Sequence, residues 1–454
     1  MKWMILCLSL VSGITLRTPV ALGAESIVIT LAEAEKRAVE NSRLVGAAQA
    51  DADAANARFS AQRSLRLPRL VLDGSFRAVS EIPQLNLPTG QSLNFSDNTS
   101  YSVGPLLQWV LLDFGSLARA SRSAEELYHS RQQAVYLSRK QALLNARTAY
   151  FKVQLGLEQM RLLRKSLMLA RAQHADISRR AQAGASSRMD VLSSHKEVLQ
   201  LRAQFRQSVS DLASGLRNVY LATGMEHSAD LAYPLDARLK ADFAGLPDEP
   251  AVTAWVQFDL IEQSLTSLRP PEPSSATHPQ ILQLQHLAEA SRFAAEGLQS
   301  ALWPRIQVAA KTSLDYPNGP VLERIHQNTL SLSLSMPLFE FSRTSHEAGE
   351  KAGQALGHEL RRDQAQVELI AQWKTAEDQL AGFRAQREEL GLGVKESEEL
   401  SRLIYQSYQA GRLSFIEVLS ANLRALEARV QQARNEVQIL LQLALLHHLS
   451  GGSS

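Results

Sequence analysis

The chain has 454 residues, 48 basic and 46 acidic, with 45% hydrophobic and 6% aromatic content and one cysteine. The charges balance and are interspersed, which excludes the basic stripe of a nucleic-acid surface, so no nucleic-acid partner is expected. A lone cysteine excludes a disulfide framework or a cysteine metal site, and long stretches rich in Ala, Leu, Gln, Arg and Glu favour long helices over a mixed globular enzyme.

Residues 1–24 read as a secretory signal. Lys2 opens it, an apolar run extends from Trp3 to Leu16, Arg17 and Pro19 close it, and Ala21-Leu22-Gly23-Ala24 offers cleavage after Gly23 or Ala24. The run is shorter than the about 20 apolar residues that a spanning helix needs. Cys7 lies inside it, and Ile5 and Leu6 just before it argue against acylation.

The remainder is written twice, which predicts a first repeat over 25–224, a linker over 225–277, a second repeat over 278–450 and a tail over 451–454. Leu67-Pro68-Arg69-Leu70 matches Trp303-Pro304-Arg305-Ile306, and Leu111-Leu112-Asp113-Phe114-Gly115 matches Leu338-Phe339-Glu340-Phe341-Ser342. Gln182-Ala183-Gly184 through Ser193 then matches Gln409-Ala410-Gly411 through Ser420. Asp113 to Glu340 and Gly184 to Gly411 share one offset of 227 positions. Each half therefore reads helix, strand, strand, very long helix, turn, long helix.

The predicted strands are Leu70–Val79, Ser102–Leu112 with Gly104-Pro105 interrupting it, Ile306–Tyr316 and Leu330–Phe339. Leu330, Leu332, Leu334 and Met336 alternate with Thr329, Ser331, Ser333 and Ser335, a period of two. A soluble sheet or a membrane barrel can produce this pattern, and the barrel is preferred because the neighbouring helices carry only narrow apolar seams. Four strands cannot close a barrel, and an open edge is not tolerated in lipid. Copies must associate; two would give eight strands with a filled interior, while the arithmetic alone leaves three and four open.

From Gly115 to Gln182, and from Ser342 to Gln409, no proline interrupts the chain. Each stretch predicts a helix of about 100 Å at 1.5 Å per residue, in a coiled coil or tube. The expected seams are Tyr150, Val153, Leu157, Met160, Leu163, Leu167, Ala170, His174, Ile177 and Ala181, and Ile416, Leu419, Leu423, Leu426, Val430, Ala433, Val437, Leu440 and Ala444. At Gly184 and Gly411 the helices turn back, and Ser187 with Asp190 and Ser414 with Glu417 fit capping boxes for the returning helices.

Prolines 234, 247, 250, 270, 271 and 273 break the linker and leave a short helix near Val252–Leu268. Gly349, Gly353 and Gly357 suggest close helix approach beneath the strands, and Gly391 and Gly393 a flex point in the tunnel. His447-His448 lacks a third metal ligand, and no catalytic constellation or nucleotide-binding motif is visible. Neither an enzyme nor a cofactor is expected.

The paired hairpins, the second-half strand Leu330–Phe339 and the turn Tyr408–Ala421 resemble the TolC family of outer-membrane efflux proteins, over nearly the whole mature chain. The resemblance implies a mostly α chain with a membrane β-barrel, four strands per chain completing a twelve-stranded barrel in a homotrimer embedded in outer-membrane lipid. A coiled-coil tunnel would hang into the periplasm, with Gly184, Ser187, Gly411 and Ser414 at hairpin tips that meet a periplasmic adaptor. The adaptor would join an inner-membrane pump of the RND or ABC type, in a tripartite efflux or type I secretion system. The resemblance also implies that Asp190 and Tyr408 are latch partners and that Glu417 forms an acidic ring at the constriction, although capping alone also accounts for both acids. Leu413 and Ser420 depart from the latch arginine and second acid of the family's best-known member, and Arg412 is a substitute that would point differently. The rival reading is a periplasmic coiled-coil adaptor or structural scaffold.

Overall fold

A computed structural model describes residues 27–82, 84–86, 92–224, 256–272 and 276–451. The expected signal with Cys7, most of the linker and all but Gly451 of the tail lie outside the described residues. In chain order the elements are β1 (Ile27–Ile29), α1 (Leu31–Glu40), α2 (Arg43–Ser64), β2 (Arg69–Ala78), β3 (Gln84–Asn86), β4 (Ser92–Asn94), β5 (Thr99–Leu112), α3 (Ser116–Gln182) and α4 (Arg188–Thr223). There follow β6 (Val256–Phe258), α5 (Ile261–Ser267), α6 (Pro279–Ser300), β7 (Arg305–Tyr316), β8 (Ile325–Ser335), α7 (Arg343–Gln409) and α8 (Phe415–Leu449).

The repeat is realised residue for residue at the strand-to-helix corners. Phe114 and Gly115 take φ of 52° and 86°, and Phe341 and Ser342 take 51° and 62°. The acid at the head of each corner then caps the helix: Asp113 accepts from the Leu117 amide at 2.6 Å, and Glu340 from the Thr344 amide at 3.1 Å. Both α3 and α7 run for 67 residues, about 100 Å at the α-helical rise.

Two shorter helices stack end to end beside each long one. Asn41, just before α2, donates to the Thr223 carbonyl at the end of α4 at 3.3 Å. His278, just before α6, engages the His448 carbonyl near the end of α8 at 3.3 Å. The helical wall of one chain is thus four columns: α2 over α4, then α3, then α6 over α8, then α7. The core follows these seams, with Tyr150, Phe151, Met160, Leu212 and Leu440 buried around the middle of the wall.

Seven residues of the α3 seam are buried as predicted, Tyr150, Val153, Leu157, Met160, Leu167, Ala170 and Ile177, while Leu163, His174 and Ala181 are half-buried and Leu162 and Gln173 are buried beside them. The tip-proximal part of the α8 seam is not. Phe415, Val418 and Ala421 are buried, whereas Ile416 and Leu423 are 61% and 47% exposed. Contacts with Ile177 select the face one residue away, and the expected face is left open within one chain.

At mid-height β1 pairs in parallel with β6, and α5 follows. The single helix expected over Val252–Leu268 is therefore, in the described part, a strand and a helix of seven residues. Asp259 explains the break: its Oδ2 accepts from the Leu31 amide and the Tyr150 hydroxyl, both at 2.9 Å, so the chain must turn there. Gln154 donates to the Asp259 carbonyl at 2.6 Å and fastens this layer to α3.

Strands β2, β5, β7 and β8 form one antiparallel sheet in that order. Strand β5 runs unbroken through Gly104-Pro105, contrary to the expected interruption. Pairing with β2 continues there, while the ladder to β7 passes from Val103 directly to Leu106, because proline has no N–H to donate. Strand β8 begins earlier than expected, at Ile325, and ends at Ser335, since Pro337 stops the ladder. Among the described residues no helix is long and apolar enough to cross a membrane.

Candidate functional site

Two regions of the chain carry functional geometry: the sheet at one end of the wall and the hairpin tips at the other. In the sheet, register places Leu70, Leu72 and Phe76 beside Leu107, Pro105 and Tyr101, then Val308 and Ala310, then Leu332 and Leu330. One face is therefore apolar across all four strands at this level, and only toward the β7–β8 end does it carry Thr312, Asn328 and His326. Leu70, Leu72, Phe76, Leu330, Leu332 and Leu334 are 69–78% exposed, so among the described residues no helix covers this face, as a soluble sheet would require. The opposite face carries Asp73, Ser102, Gln307, Ser331 and Ser333, and Lys311 donates there to Asp73 at 2.6 Å and to Ser102 at 3.1 Å. Aromatic pairs stand at both strand ends, Tyr101 on Tyr316 and Phe114 on Trp303. The outer strands β2 and β8 each have one unpaired edge.

At the tips, Gly184 and Gly411 have φ of 76° and 73°. Each closes a Schellman turn, with Ala185 N–H to the Arg180 carbonyl at 2.8 Å and Arg412 N–H to the Ser407 carbonyl at 3.0 Å. Ser187 and Asp190 form the expected reciprocal box, at 3.1 and 3.3 Å. In the second hairpin Glu417 accepts from the Ser414 amide at 2.9 Å and from its hydroxyl at 3.3 Å. Gly184, Ser187, Gly411, Ser414 and Glu417 are all exposed.

Asp190 and Tyr408 are brought together indirectly. The Ser186 hydroxyl donates to Asp190 at 3.2 Å and lies 3.2 Å from the Tyr408 hydroxyl. Tyr408 also packs on Phe415 and Tyr405, above buried Ile177 and Val418. Glu417 does not join this cluster.

Sequence reasoning missed the polar contacts that hold the two hairpins to each other. Asp176 accepts from the Tyr405 hydroxyl at 3.2 Å and Arg180 reaches the Gln409 carbonyl at 3.2 Å, while within α3 Arg180 donates to Asp176 at 3.0 Å and so orients both side chains. Burial, with Asp176 beside it, pushes the Tyr405 hydroxyl above its ordinary value. One turn higher, Asn422 links Gln173 to Ser401 at 3.0 and 2.7 Å. The available signal was positional: Asp176 and Arg180 lie just ahead of the first turn glycine, and Tyr405 and Gln409 just ahead of the second. At this level Arg180, rather than Arg412, is the arginine that reaches from one hairpin to the other.

Gly391 and Gly393 lie inside unbroken α7, and a methyl group on either would meet nothing within 4 Å. The same holds for Gly349, Gly353 and Gly357, so within one chain these glycines permit no close helix approach, contrary to expectation. His447 and His448 stand at the end of α8, where the His447 ring contacts the Arg269 carbonyl at 2.8 Å.

A profile of the family described as outer membrane efflux protein matches residues 35–225 and 272–452. Among curated relatives, the solvent efflux pump outer membrane protein SrpC of Pseudomonas putida is 25% identical over 429 residues, 92% of this chain and 84% of its own. OprJ, an outer membrane protein of Pseudomonas aeruginosa, is 22% identical over 408 residues, 89% and 78% of the two chains. The solved CmeC outer membrane channel of Campylobacter jejuni superposes with a TM-score of 0.74 at 13% identity, over 93% of this chain and 86% of that one. With the two matched segments covering well over half of its length, the chain belongs to the outer membrane efflux protein family.

Proposed function

We propose that the protein is the passive outer-membrane exit duct of a tripartite efflux system, working as a homotrimer. The observation that carries this is the uncovered apolar face of a four-stranded sheet whose two edges are open. In hydrocarbon each unpaired backbone group costs several kcal/mol, so β2 of one copy must pair with β8 of the next. Two copies would make an eight-stranded barrel filled by its own side chains. Three make twelve strands, the number the family resemblance implies, with the serine-rich face turned to the lumen.

The wall below has matching open columns. Met189, Leu192 and Leu221 on α4 are more than 60% exposed, and Leu392, Leu400 and Leu403 on the lower part of α7 are 45–57% exposed, which supports α4 of one chain packing against α7 of the next. The exposed tips, with Gly184, Ser187, Gly411 and Ser414, are the adaptor contact, and an inner-membrane pump supplies the energy. Asp190 and Tyr408, joined through Ser186, belong to the closed tip, and Glu417 lines the constriction as well as capping α8. Gly391 and Gly393 form the flex point of the tunnel. The efflux reading takes precedence over protein secretion because the family and the relative SrpC are named for efflux.

The test is accumulation of a fluorescent efflux dye in a host lacking the gene. Accumulation should rise on deletion and return to the parental level when the chain is restored; unchanged accumulation contradicts the proposal.

A further inference from the structure

Two imidazoles from different repeats meet in the upper wall. His129 on α3 and His286 on α6 have ring centroids 5.5 Å apart, with planes tilted by 38°. Both rings are half-buried and oriented through Nδ1. His286 Nδ1 lies 2.7 Å from Glu126 Oε2, and His129 Nδ1 lies 3.1 Å from Gln132 Oε1. The Gln132 amide nitrogen in turn donates to the Tyr128 hydroxyl at 2.6 Å, which aims its oxygen at the His129 ring.

A carboxylate oxygen and an amide oxygen only accept. Each Nδ1 therefore carries the hydrogen, which leaves Nε2 as the atom through which the neutral form of either ring would bind an ion. Metal-ligating histidines have this arrangement, donating the other ring N–H to a carboxylate or carbonyl that fixes the tautomer. The spacing also fits. Two imidazoles held on one ion at about 2.0–2.1 Å with near-tetrahedral angles place their centroids roughly 5–5.5 Å apart.

We propose that His129 and His286 form a site for a borderline transition-metal ion such as Zn²⁺, Ni²⁺ or Cu²⁺, with Glu126 as its positioning residue. The ion ties α3 of the first repeat to α6 of the second. Among the described residues no three His, Cys, Asp or Glu side chains converge on one point, so water completes the coordination. The affinity is accordingly weaker than that of a four-ligand structural zinc site. A second pair, His174 and His195, has centroids 5.2 Å apart, and His174 bonds through Nδ1 to the Ser194 hydroxyl at 2.8 Å. No hydrogen bond among the described residues orients the His195 ring, so this pair serves as the control.

The test uses the full mature chain in detergent, freed of any affinity tag and stripped with a chelator, then titrated calorimetrically with ZnCl₂ and followed with Cu²⁺ by electron paramagnetic resonance. One ion per chain is expected, with nitrogen hyperfine structure from two imidazoles. His129→Ala and His286→Ala each remove that binding step, and His195→Ala leaves it intact. Glu126→Gln keeps the stoichiometry and lowers affinity by about 10- to 100-fold, which also tests the site in a chain with both histidines in place. Parental isotherms in either alanine variant, no uptake by the parent, or unaltered affinity in Glu126→Gln overturns the assignment; the last would mark the Glu126 contact as an ordinary ion pair.

Discussion

Replacing Asp176 with alanine tests whether the contacts between hairpins hold the tips closed. The substitution removes an ion pair to Arg180 and a hydrogen bond from Tyr405. The pair is partly solvated, with side chains 31% and 27% exposed, so its contribution is about 0.5–1 kcal/mol. The tyrosine bond to a charged acceptor contributes about 1–1.5 kcal/mol. The Arg180 pair lies within α3 and acts by holding Arg180 on the Gln409 carbonyl of the other hairpin, so with the Tyr405 bond the loss is at most roughly 2 kcal/mol per chain, an upper limit of about a 30-fold shift of one chain's tip equilibrium toward separation. Tyr405→Phe removes only the second bond and should shift it by about 5- to 10-fold. The assay is conductance of the purified protein in planar bilayers, with cellular sensitivity to a large hydrophilic antibiotic as the second readout. Both should rise in the order parent, Tyr405→Phe, Asp176→Ala, while the melting temperature changes little. Parental conductance in Asp176→Ala, with the fold intact, would refute the idea that these contacts close the duct.

Three further outcomes follow from the geometry. His278 is 1% exposed, and burial holds its pKa at about 4, below the usual 6.5. The unfolded chain then binds more protons between those values, so this contribution is complete above about pH 6.5 and falls by about 3 kcal/mol per chain as pH drops to 4. Melts across that range should show the loss, and His278→Gln should flatten it. In the sheet, a Cβ at Gly104 would lie 1.9 Å from the Thr312 carbonyl oxygen. Gly104→Ala should therefore abolish assembled protein in the outer membrane, whereas Gly74→Ala, with its nearest neighbour 3.7 Å away, should assemble normally on immunoblots. Replacing Gly391 and Gly393 with alanine should stabilise α7 by about 1–2 kcal/mol and slow dye efflux; a stabler chain with unchanged efflux removes the flex-point role.

What could be read from the sequence was whatever depends on neighbours along the chain. The turn glycines, the capping acids and the period-two strands follow from local chemistry. The shared offset of 227 positions exposed the repeat before any contact was known. Residues whose roles depend on distant partners were hidden. Asp259 shapes the middle layer through Tyr150, 109 positions away, and Asp176 finds Tyr405 across 229. The α8 seam was misplaced by one residue near the tip because Ile416 and Phe415 fit a stripe almost equally well, and only packing on α3 chooses between them. Strand β8 was read too short at its start because His326 and Asn328 share the face of its leucines, masking the alternation.

The most direct test of the central claim is the mass and shape of the particle extracted from outer membranes in mild detergent. Three chains per particle, elongated by a tube of about 100 Å set by the helix rise, is the result the closed-sheet account predicts. A monomer or dimer released without detergent would contradict it.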